Sequence, residues 1–221
     1  QAMNQFDEAI VHYEKAIDIR RSFVGSKDGG RYSKVTYANL STLYAEKGDL
    51  VRARENCERA LALCSPTATN EEFDPVVYCF HLSNLAFVQQ AEGKIDDSLE
   101  NYQKVIVLRL KHLPSNHPDL CAAYSNLGVV FQSKGDYSSA IDCFNQALDI
   151  AGKSLPDKHV TLASLYYNIG VTNEKWAKHD NALEHYKKAV EVAQSSPSFD
   201  QEKLNCWLQS ISELQNKLNQ D

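Results

Sequence analysis

No apolar run in this 221-residue chain approaches the roughly 18 residues that span a bilayer, and no charged-then-apolar leader is visible, so neither a membrane span nor a secretory signal is expected. A surplus of positive charge is missing as well. With 23 Lys and Arg against 29 Asp and Glu, the net charge of -6 argues against nucleic acid, whose phosphates demand clustered cations. The six cysteines, Cys57, Cys64, Cys79, Cys121, Cys143 and Cys206, form no C-x-x-C pair and have no matching His spacing, which argues against zinc. They read as small buried side chains in a reducing, cytoplasmic setting. The histidines form no H-E-x-x-H, and Gly29-Gly30 lacks the Lys and Ser/Thr of a phosphate loop. No catalytic constellation, metal or cofactor is expected, and the chain reads as no enzyme.

What the chain does contain is a helical hairpin. From Asn126 to Ile150 two amphipathic segments fold back at Lys134-Gly135-Asp136, because Gly suits the end of one helix and Asp the start of the next. The frame returns 42 positions later as Asn168-Ile169-Gly170, Ala182-Leu183, Tyr186, Ala189-Val190 and Val192. Earlier copies are Asn39-Leu40, Tyr44, Gly48-Asp49, Ala53, Cys57 and Ala60-Leu61, then Asn84-Leu85, Gly93, Ser98-Leu99, Tyr102 and Val105-Ile106.

Measured on one position of the second helix, Ala9, Ala53, Ser98, Ala140 and Ala182 are 44, 45, 42 and 42 apart. Complete hairpins are therefore expected over 32–64, 76–110, 118–152 and 160–194. Residues 1–20 match a second helix alone, with Asn4 at the turn position, so the chain is expected to begin inside a repeat with an apolar N-terminal edge through which it could self-associate. Gly25 to Gly30 and Ser195 to Ser198 read as connections, and the turn into the fifth second helix uses Ala177 in place of Gly. His117 and His159 stand at equivalent connections and are expected to help begin helices. The segment 200–219 carries Leu204, Trp207-Leu208, Ile211, Leu214 and Leu218 on one face and reads as a polar-backed cap.

Asn-Leu-Gly, an aromatic three residues on, then Gly-Asp-Tyr, Ala, an aromatic and a further Ala resemble the tetratricopeptide repeat. The 42-residue step, with Asn116-His117-Pro118-Asp119 before a first helix, resembles the repeats of kinesin light chains. The resemblance implies one all-α, right-handed superhelical solenoid of hairpins closed by the C-terminal capping helix, with first helices lining a concave groove that binds a peptide or helix of a partner protein. In tetratricopeptide domains that clamp carboxylates a Lys precedes the Asn by four; here Val35, Phe80, Ala122 and Ser164 stand there, so no such clamp is expected. The face also holds too little Lys or Arg for the Trp-acidic peptides that kinesin light chains take.

One Asn recurs per repeat: Asn39, Asn84, Asn126 and Asn168. An amide can donate to and accept from a peptide backbone at once, or it can bond a neighbouring helix within the stack; the sequence leaves both uses open. Phe80, Phe87, Val129, Tyr167 and Val171 are candidates for an apolar floor with Glu174 and Lys175 at its far end, the alternative for the aromatics being core packing. Tyr13, Tyr102, Phe144 and Tyr186 read as inter-helix core. The function expected is a protein-binding scaffold or adaptor. The alternatives are a spacer or oligomerisation module in a larger assembly, or the regulatory repeats of a larger enzyme.

Overall fold

Each hairpin turn depends on a residue that ends one helix in the left-handed region and another that caps the next. Gly48, Gly93 and Gly135 have φ of 78°, 79° and 84°, and Ala177 takes φ 59° at the fourth equivalent turn, where its Cβ is strained. Asp49 and Asp136 accept the backbone N–H three residues on, at 3.1 Å each, and so satisfy donors that the helix cannot. The backbone bond, helped by the Arg52 guanidinium, holds the Asp49 carboxyl below its ordinary range, and the Ser139 hydroxyl, helped by its backbone N–H, does the same for Asp136.

The computed structural model describes residues 2–22, 27–65, 73–196 and 199–219, and these form α-helices without a strand among them. In order they are α1 (Ala2–Ser22), α2 (Lys27–Glu46), α3 (Leu50–Ala62), α4 (Pro75–Ala91), α5 (Ile95–His112), α6 (Pro118–Lys134), α7 (Tyr137–Ser154), α8 (Val160–Lys175), α9 (His179–Gln194) and α10 (Gln201–Leu218). The pairs α2/α3, α4/α5, α6/α7 and α8/α9 pack as hairpins. By its contacts the chain divides into two compact units, Gln1–His112 and Leu113–Asp221.

In the first unit, Ile10 and Ile17 of α1 pack with Tyr37, Leu40 and Tyr44 of α2, Ala53, Cys57 and Ala60 of α3, and Leu85 and Val88 of α4. In the second, Leu120 and Cys121 of α6, Phe144 and Ile150 of α7, and Leu162, Leu165 and Ile169 of α8 form one cluster. Leu204 and Trp207 of α10 close it against Ala189 and Ala193 of α9. Small residues of first helices stand sixteen positions before larger ones of second helices: Ser41 and Cys57, Ala86 and Tyr102, Gly128 and Phe144, Gly170 and Tyr186. Tyr102, Phe144 and Tyr186 are buried as the frame predicts, and Tyr13 is partly buried against the first core.

Some expectations are corrected. Gly29 and Gly30 lie in the first turn of α2, and Asn4 lies within α1, because each helix extends further toward the N-terminus than its apolar pattern requires. Leu208 is 42% exposed, since the face of α10 set by Leu204, Trp207 and Leu214 points elsewhere. Five cysteines are buried, but Cys206 is exposed. Burial pushes the Cys57 and Cys143 thiols up to about 11, which keeps them protonated and unreactive near neutrality. Gly25, Ser26, Pro197 and Ser198 lie outside the described residues.

Candidate functional site

The first-helix positions flanking the recurring Asn behave differently in the two units. On α4 of the first unit, Val77, Phe80, Asn84, Phe87 and Ala91 follow helical spacing along one stripe. Cys79, Leu82, Leu85, Ala86 and Val88 turn the other way into the core, and this leaves Phe80 52% and Phe87 58% exposed. Two ring side chains that far in solvent on one stripe are not core packing.

Between α2 and α4 lies a cleft of ≈ 300 Å³, with Thr42, Ala45, Glu46, Asn84, Phe87 and Ala91 among its lining. Leu50 at the start of α3 and the buried Val88 deepen it. Asn84 is partly buried there, and its side-chain amide bonds no other described residue. Asn39, one repeat earlier, is already engaged: its Nδ2 donates to the Tyr13 hydroxyl of α1 at 3.1 Å. Within one unit, then, one recurring amide is spent inside the stack and the next is left unbonded beside the cleft.

In the second unit, Asn126 is exposed and Asn168 partly buried, on α6 and α8. Val129 and Val171 lean partly into the core clusters. Gln132 ties the two first helices together: its Nε2 donates to Thr172 Oγ1 at 2.7 Å, and Lys175 Nζ donates to its Oε1 at 3.1 Å. Tyr167 is covered by the cap, its ring stacked on Trp207 at 4.4 Å and 9° with its hydroxyl 3.3 Å from Ser210 Oγ. Tyr167, Val171, Lys175 and Lys217 also line a cleft of ≈ 400 Å³ beside α10. Glu174 accepts a 2.6 Å bond from the Tyr186 hydroxyl, which burial and this carboxylate hold well above the ordinary phenol range.

Glu46 and Ala91 are cleft residues that the sequence reading passed over. Carrying the stripe one turn past Thr42 and Phe87 reaches both, so the signal was present in the period. Among the described residues no group of three or more His, Cys, Asp or Glu side chains could hold a metal ion. No helix among them is long and apolar enough to cross a membrane. His117 and His159 accept backbone N–H bonds through Nδ1 at 3.2 Å, from Asp119 and Thr161, which makes them the helix caps that their position suggested.

Comparison with known proteins agrees with the hairpin architecture. The tetratricopeptide repeat family model matches residues 78–153 and 140–195, more than half of the chain, and a second model of that description matches residues 1–23. No curated protein sequence matches. Among solved structures, BtubC (BKLC) from P. vanneervenii superposes with a TM-score of 0.82 at 16% identity, over 97% of this chain and 84% of its own. The nearly identical TPR-like repeats described as kinesin light chain from Podosopora anserina give 0.64 at 19% identity, over 84% of this chain and 96% of theirs. The apo form of RapI gives 0.71 at 18% identity, over 86% of this chain and 65% of its own. At such identities the likeness is one of fold. The family fold is a protein–protein interaction scaffold built of stacked helical hairpins. The chain belongs to the tetratricopeptide repeat family.

Proposed function

We propose that the chain is an adaptor that holds partner-protein segments against the first-helix faces of its units, Asn84 bonding a segment's backbone while Phe80 and Phe87 grip its apolar side chains in the first unit, and Asn126 and Asn168 offering their amides in the second. The observation that carries this is the exposure of Phe80 and Phe87 on the Asn84 stripe, beside a cleft that no side chain of the unit fills. Recognition there is by contact alone and asks for no cofactor. The acidic net charge favours protein over nucleic acid as the partner, and the buried free thiols fit a cytoplasmic setting. A peptide array probed in parallel with the chain and with its Asn84→Ala/Asn126→Ala variant tests the reading. Peptides bound by the first and lost by a variant of unchanged helicity support it; retention of every bound peptide refutes it.

A second reading draws on Val11 and Ile19 of α1, 45% and 59% exposed, which would serve as contacts with another copy or a larger assembly. Light scattering that shows mass rising with concentration, abolished by Ile19→Lys, would favour it.

A further inference from the structure

The cleft of the first unit has one polarity. Its walls are apolar, and Glu46 is the one charged residue among those that line it. Glu46 and Ala91 are the last residues of α2 and α4, so the negative ends of two helix dipoles, whose preceding carbonyls are largely bonded by the turns that follow, lie at this cleft beside the carboxylate. The opposing positive end of α3, at Leu50, is offset by Asp49, which caps it. Nearby cations are already engaged: Lys47 with Asp7, Lys94 with Glu92, and Arg54 with Glu58 and Glu92. Glu46 forms no ion pair with a described residue and stays exposed. An apolar pocket with an unanswered negative rim selects for an apolar group carrying a cation beside it.

We propose that the α2–α4 cleft is the anchor subsite of the partner-binding face, and that it takes a peptide bearing one bulky apolar side chain with a Lys or Arg close to it in sequence. This rests on the adaptor reading and names its ligand. The ≈ 300 Å³ of the cleft accommodates a single side chain of the Leu-to-Trp range. Phe87 packs along that side chain, Asn84 brackets the adjoining peptide unit through its donor and acceptor, and the cation lies against Glu46 and the two helix ends.

The test is affinity selection of short random peptides, balanced in acidic and basic residues, on the intact chain and on Glu46→Lys, Glu46→Gln, Thr42→Trp and Asn84→Ala, each checked for helicity. The chain is expected to enrich peptides with a bulky apolar residue flanked by Lys or Arg. Glu46→Gln should weaken a selected peptide by about two- to fivefold. Glu46→Lys should keep the apolar anchor while moving the flanking preference to Asp or Glu. Thr42→Trp, which fills the cleft, should lose the peptides altogether; should it unfold, the exposed Glu46 variants still decide the matter. Peptides that need Asn84 but show acidic or indifferent flanks, unchanged by Glu46→Lys, would overturn this inference and leave the adaptor reading standing. Enrichment insensitive to all four variants would remove both.

Discussion

The Phe144 ring of α7 occupies the space that a side chain on Gly128 of α6 would need: a Cβ built there would stand 2.7 Å from Phe144 Cε1. Tyr186 lies 2.5 Å from the same point on Gly170, one repeat later. The hairpins of the second unit are therefore set at a separation that a bare backbone permits. In α4 the position holds Ala86, still opposite the register of buried Tyr102, so a hairpin can admit one methyl if its helices adjust. Gly128→Ala is expected to destabilise by about 1 to 2 kcal/mol, the overpacking outweighing the gain in helix propensity. Urea denaturation checks this, and combining it with Phe144→Leu should recover part of the loss. Additive effects of the two changes would contradict the close approach.

Ala177 holds φ 59° where the equivalent turns use glycine, and nothing lies within 4 Å of a Cβ at those turns, so the strain is in its backbone. Ala177→Gly should raise stability by about 1 kcal/mol, visible as a higher melting temperature. A lower one would contradict the left-handed assignment.

His81 is 2% exposed, its Nδ1 lacks a hydrogen-bond partner among the described residues, and burial, helped by the charge of Lys34, lowers its pKa to about 4. The unfolded chain, with an ordinary imidazole, binds a proton that the native state refuses in the window between roughly 6.5 and 4. Stability is thus fully present above that window and falls as the pH drops through it, by a total on the order of 3 kcal/mol. Denaturation midpoints across this range should show a steeper acid limb in the parent than in His81→Leu; identical limbs would show that His81 takes up its proton without opening the fold.

The cap that His159 makes to Thr161 N–H should be worth about 0.5 to 2 kcal/mol. His159→Ala is expected to lose that amount in chemical denaturation and His159→Asn to keep most of it. Equal losses would mean that the ring is held for packing instead.

Where sequence served well, the reason was periodicity enforced by close packing. The register of Ala140, Phe144 and Ala147 could be read because each must fit beneath a neighbouring helix and all are fully buried. The helix ends at Gly48, Gly93 and Gly135 could be read because each turn needs a left-handed residue. The limits were of a different kind. Period assigns a residue to a face, but not what covers that face, so Phe80 and Phe87, open to solvent, and Tyr167, stacked under Trp207, looked alike. The fate of Asn39 depended on a hydroxyl from α1, a partner outside its own hairpin.

The adaptor account is tested most directly by titrating an array-derived peptide against the chain and against Phe87→Ala. Phe87 is more than half exposed, so its truncation should leave melting unchanged. The account predicts a fall in affinity of about tenfold or more, as for an interface hot spot. Equal affinity for both proteins would contradict it.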